Sequence, residues 1–64
     1  MTYEPPKGYS IFNAAIEAIE QAKQKNKQIL FIFNGIEVSV DPKSYAGDVC
    51  YIYSLKHTIR RLEA

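Results

Sequence analysis

Apolar residues fill every second position from Ile29 to Phe33 and again from Ile36 to Val40, and an Asn-Gly pair separates the two runs. A run of β-favouring residues on each side of Asn34-Gly35 is the strongest short-range signal for a β-hairpin with a two-residue turn. The turn also sets the register. Phe33 is expected opposite Ile36, Ile32 opposite Glu37, Phe31 opposite Val38, Leu30 opposite Ser39 and Ile29 opposite Val40. Because side chains alternate along a strand, one face then carries Ile29, Phe31, Phe33, Ile36, Val38 and Val40, all apolar. The other carries Gln28, Leu30, Ile32, Glu37, Ser39 and Asp41, half of them polar.

On either side of the hairpin the period lengthens to that of a helix. From Ser10 to about Lys25, Phe12, Ala15, Ile16, Ile19 and Ala22 recur at three- and four-residue steps and predict one apolar stripe. Ser10 is placed to cap the first turn, and Asn26 to end the helix in a left-handed conformation. Lys23, Lys25 and Lys27 gather at the negative end of the helix dipole. Asp41-Pro42 stops the second strand, and Ser44 is the expected cap of a second helix from about Tyr45 to Leu62. The core stripe predicted for that helix is Tyr45, Val49, Ile52, Leu55, Ile59 and Leu62, with Cys50, Ser54, His57 and Arg61 on the opposite side.

The expected architecture is α+β, of order α-β-β-α, with two antiparallel helices packed on one face of a two-stranded antiparallel hairpin. Residues 1–9, with Pro5, Pro6 and Gly8, read as an extended N-terminal arm, and residues 10–64 as a single domain. Tyr3 and Tyr9 give the arm side chains with which to pack.

Size and composition narrow the function. A chain of 64 residues forms one small domain of marginal stability, for which a disulfide, a metal or a partner subunit is the usual reinforcement. One cysteine rules out an internal disulfide, and one Cys with one His is too few for a structural zinc site. No metal or other cofactor is expected. A net charge of +1 provides no global field toward nucleic acid or an anionic membrane. The longest apolar run, Ile29 to Phe33, is far below the roughly 20 residues that span a bilayer. The first residues lack the charged start and apolar core of a secretory signal, so a cytoplasmic location is expected.

Phe33-Asn34-Gly35-Ile36, followed by Val38, Val40, Asp41 and Pro42, resembles small uncharacterised proteins encoded by phages and prophages. In these a strand-Asn-Gly-strand unit precedes a proline and a final helix. The resemblance covers about residues 28–62. It implies an accessory protein that acts by binding, and it carries no functional residues across.

The candidate functional residues fall in three groups. Leu30 and Ile32 form an apolar pair on the second hairpin face, which a single helical layer leaves uncovered along with both strand edges. The arm, a second copy or a different protein are the three candidates to cover it. Tyr51 and Tyr53 belong to a tyrosine-rich helix, and tyrosine is enriched both at core rims and at binding surfaces. Lys56, His57, Arg60 and Arg61 form a basic flank that reads either as phosphate contacts or as cations complementing the helix end. In the antiparallel arrangement Glu17 and Glu20 are expected near Lys56 and Arg60.

Catalytic signatures are lacking. Gly8, Gly35 and Gly47 are scattered and form no phosphate loop. Cys50 reads as an ordinary surface cysteine, the alternative being a reactive thiol or an intermolecular crosslink with a pKa somewhat lowered near the helix start. It lies two turns, about 10.5 Å, from His57, too far for a nucleophile-base pair. The reading is therefore a non-catalytic protein-interaction module, not an enzyme, that binds a protein partner or forms a homodimer through the hairpin face or a strand edge. A weak nucleic-acid-binding module using Lys56, His57, Arg60 and Arg61 is the alternative.

Overall fold

The computed structural model describes residues 2–63, with the backbone alone at positions 61 and 63. Five elements follow one another: β1 (Thr2–Tyr3), α1 (Ile11–Lys25), β2 (Ile29–Phe33), β3 (Ile36–Val40) and α2 (Ala46–Glu63). The hairpin forms as its composition demands. Asn34 and Gly35 take positive φ values of 52° and 77°, the backbone that a two-residue turn requires and that Asn-Gly supplies with least strain. The register is the one read from the sequence, from Phe33 opposite Ile36 to Ile29 opposite Val40.

The hairpin is not alone. Thr2 and Tyr3 pair in parallel with Leu30 and Phe31, so the sheet has three strands in the order β1-β2-β3 and is mixed. This corrects the two-stranded expectation and makes the order β-α-β-β-α. Part of the segment read as an extended arm supplies an edge strand. Its third residue turns an aromatic ring into the core, where Tyr3 stacks on Phe31 at 6.2 Å between ring centroids.

Helix α1 begins and ends as expected. Ser10 Oγ accepts the Asn13 amide at 3.2 Å. Asn26 adopts φ 52°, ψ 44°, and its amide bonds back to the Ala22 and Lys23 carbonyls. The start of α2 differs. The Ser44 hydroxyl accepts the Asp41 amide at 3.0 Å and closes the Asp41-Pro42-Lys43-Ser44 turn, with the Asp41 carboxylate accepting the Lys43 amide at 2.8 Å. Ser44 is thus a turn residue and not the helix cap; the first helical bond of α2 runs from the Val49 amide to the Tyr45 carbonyl.

The core lies between the helices and the hairpin face that carries Ile29, Phe31, Ile36, Val38 and Val40, all buried, with Phe33 half-buried beside them. Against it α1 sets mainly small side chains, Ala14, Ala15, Ala18 and Ala22, with Ile19. Four alanines bring the helix close to the sheet and leave Phe12 and Ile16, expected in the core stripe, on an exposed flank. Helix α2 sets Val49 and Tyr53 into the core, with Ala46 and Cys50 packed against it. Of its expected stripe only Val49 is buried; Tyr45, Ile52, Leu55, Ile59 and Leu62 are exposed.

Candidate protein-interaction surface

Helix α2 is held to the hairpin by contacts along its length, and these decide which side faces outward. The Tyr53 ring, 9% exposed, meets Phe33 edge-on at 5.4 Å. Its hydroxyl accepts a hydrogen bond from Asn34 Nδ2 at 3.2 Å. One turn on, the His57 ring lies tilted against Tyr53 at 5.8 Å. Lys56 Nζ donates to the Glu37 carbonyl at 2.8 Å, and Arg60 donates to the Asn34 carbonyl at 3.4 Å. Residue 56 thus meets residue 37 and residue 60 meets residue 34, so α2 runs antiparallel to β3 and ends beside the hairpin turn.

With Ala46, Val49, Cys50 and Tyr53 turned inward, the 100° step of an α-helix carries Ile52, Leu55, Ile59 and Leu62 to a flank roughly 140° away. They are 40%, 47%, 55% and 82% exposed. Tyr45 and Tyr51, at 74% and 65%, extend the same outward surface. Length contributes to this exposure. Five-residue strands span about 17 Å, whereas the 18 residues of α2 span about 27 Å, so the sheet underlies only part of the helix. Isolated exposed apolar residues are ordinary, but four in one helical row with two tyrosines form a contiguous patch of the sort that marks interaction sites.

The residues singled out from the sequence are distributed differently. Leu30 and Ile32 are half-buried. Leu30 lies opposite Thr2 of β1, and Ile32 lines a cleft of about 440 Å³ whose other wall includes Pro5, Pro6, Lys7 and Tyr9. The N-terminal segment therefore flanks the second hairpin face. Tyr51 is exposed, but Tyr53 belongs to the core. Lys56, His57 and Arg60 stand together on exposed turns of α2, with the cationic groups of Lys56 and Arg60 bound to hairpin carbonyls. The side chain of Arg61 lies outside the described residues.

The expected pairing of Glu17 and Glu20 with Lys56 and Arg60 does not occur. The Glu17 carboxylate accepts hydrogen bonds from the hydroxyls of Tyr3 and, at 3.3 Å, Tyr9, and Glu20 lies 3.8 Å from Lys23. Burial, the Glu17 hydrogen bond and the nearby Glu17 charge push the Tyr3 phenol well above its usual range.

Cys50 is corrected as well. It is half-buried against the core, not outward-facing, and burial raises its thiol pKa where proximity to the helix start was expected to lower it. Among the described residues no cluster of three or more His, Cys, Asp or Glu side chains is placed to hold a metal ion. Nor is any helix among the described residues long and apolar enough to cross a membrane.

The sequence signal of the outward row serves two readings. Ile52, Leu55, Ile59 and Leu62 recur at steps of three, four and three. That spacing describes a core-facing stripe and also the seam of one helix against another. What separates the two is the second, less apolar face of Ala46, Val49, Cys50 and Tyr53, which could have been recognised as a competing core. Searches against protein-family models, curated proteins and solved structures find no match for this chain.

Proposed function

We propose that this chain is a non-catalytic protein-interaction module whose contact surface is the outer flank of α2. The observation that carries the reading is the exposed row Ile52, Leu55, Ile59 and Leu62, on a helix whose opposite face is fixed to the hairpin by Tyr53, Lys56 and Arg60. A small domain with few apolar side chains to bury gains no folding stability from the apolar area that these four leave in water. A partner that removes them from water would supply the reinforcement that neither a disulfide nor a zinc site provides.

The other surfaces are less favoured. Leu30 and Ile32 are flanked by the N-terminal segment. Strand addition along β3 is opposed by Lys56, whose ammonium holds the Glu37 carbonyl. Nucleic-acid binding through Lys56, His57 and Arg60 draws on two cations already engaged with backbone carbonyls, in a chain of net charge +1.

The test is site-specific photocrosslinking in cells that make the protein. A photoreactive residue at Leu55 or Ile59 is expected to give discrete protein adducts, and one at Gln24, at the exposed end of α1, is expected to give none. Equal yields at all three sites, or none at any, would refute the reading.

A further inference from the structure

We infer that the occupant of the α2 flank is a second copy of this chain, docked α2 against α2 through Ile52, Leu55, Ile59 and Leu62. This rests on the reading of that flank as the contact surface and names its partner. Three observations favour self-association. The row has the three-four-three spacing of a helix-helix seam, with β-branched Ile at the first and third positions and Leu at the second and fourth. That alternation favours two-stranded packing of like helices. The area is also suitable. At roughly 200 Å² for a fully exposed Leu or Ile and somewhat more for Tyr, the exposed fractions of the row, Tyr45 and Tyr51 come to roughly 800 Å² per copy, about one partner's share of a standard interface.

The charge pattern is the third observation. Tyr51 and Thr58 flank one side of the row without charge, the Lys56 ammonium on the other side is held by the Glu37 carbonyl of its own chain, and the carboxylate on the line of the row, Asp48, stands at its N-terminal end, one turn before Ile52. Two copies at net charge +1 repel each other only weakly. A two-fold pairing of identical patches also closes on itself and yields a dimer and not an open chain.

The experiment is sedimentation equilibrium over a wide concentration range. The wild-type mass should rise from 7.3 kDa toward twice that value with concentration. Leu55→Glu and Ile59→Glu should remain at 7.3 kDa throughout, with an unchanged helical circular-dichroism spectrum. Leu62→Glu, at the most exposed position of the row, should raise the dissociation constant at least tenfold and guards against misfolding of the other two. Phe12→Glu, on the exposed flank of α1, should dimerise like wild type. A wild-type protein that stays monomeric to millimolar concentration, or a dimer that persists in both Leu55→Glu and Ile59→Glu, overturns the inference. The crosslinking experiment separates this failure from that of the broader reading. Adducts of two chains support the second copy. Adducts at Leu55 to another protein alone overturn it and leave the interaction surface standing, and an absence of adducts removes both.

Discussion

Gly35 and Gly47 provide a matched pair in which the same substitution should act in opposite directions. Gly35 has φ +77°, and a Cβ built there lies 3.1 Å from Arg60 Nη1. A side chain in the left-handed region costs about 1–2 kcal/mol. Alanine's smaller freedom in the unfolded chain returns about 0.4–1 kcal/mol of that. The Arg60 contact adds little, because it is the flexible end of an exposed side chain whose bond to Asn34 is already long at 3.4 Å. Gly35→Ala should therefore destabilise by roughly 1 kcal/mol. Gly47 lies in the first turn of α2, with nothing within 4 Å of a built Cβ and no positive φ. There only the unfolded-state term remains, and Gly47→Ala should stabilise by about 0.4–1 kcal/mol. The assay is thermal and urea unfolding followed by circular dichroism at one fixed protein concentration, because association adds to apparent stability. For a domain of this size 1 kcal/mol moves the midpoint by about 4–8 °C, so the two variants should bracket wild type and differ by roughly 6–16 °C. Coincident midpoints, or a Gly35→Ala protein more stable than wild type, would refute the turn geometry and the start assigned to α2.

Two further predictions concern titratable groups. The Tyr3 phenol has a folded pKa above its unfolded value of 10.0, so the native state holds its proton where the unfolded chain releases it. Its contribution to stability is complete below pH 10 and is lost as pH rises beyond it. Tyr3→Phe should thus unfold with a shallower alkaline dependence above pH 10, measured by urea midpoints across pH 9 to 11 buffers; identical slopes for the two proteins would contradict the linkage. Because burial raises the Cys50 thiol pKa, alkylation of the native protein at neutral pH should be slower than that of the urea-unfolded chain. Equal rates, read by mass spectrometry, would show that the thiol is not shielded.

The hairpin was legible because two independent signals agree on it: the Asn-Gly turn fixes the pairing, and the alternation fixes the faces. The ends of α1 were legible for a similar reason, since Ser10 and Asn26 each satisfy a local backbone requirement. Strand β1 was not. Thr2-Tyr3 is two residues long, lies next to Glu4-Pro5-Pro6, and finds its partner on the far side of α1, so no local pattern announces it. Of the inward face of α2 the sequence pattern identifies Val49 but not Ala46, Cys50 and Tyr53, because hydrophobicity ranks Ile52, Leu55, Ile59 and Leu62 above those three. Tyr53 was chosen for the core by shape and hydrogen bonding instead, its ring fitting Phe33 and its hydroxyl reaching Asn34. The same selection buries Tyr53 and leaves Ile52, Leu55, Ile59 and Leu62 on the exposed flank.

The two residues of β1 have an influence beyond their length. Ile29-Leu30-Phe31-Ile32-Phe33 is apolar throughout, free of proline and glycine, and rich in β-favouring side chains, the composition of a segment that stacks into cross-β aggregates. With β3 on one side, β1 is what covers the other edge over Leu30 and Phe31. So short a strand, tied down by the Tyr3 ring on Phe31 and the Tyr3 hydroxyl on Glu17, is among the easiest parts of such a fold to open. Each opening presents an unguarded template edge to other chains. Shelf life, protease nicking near residues 4–9 and tolerance of N-terminal fusions should therefore all follow how firmly Tyr3 is seated, even where the helices and the hairpin remain intact.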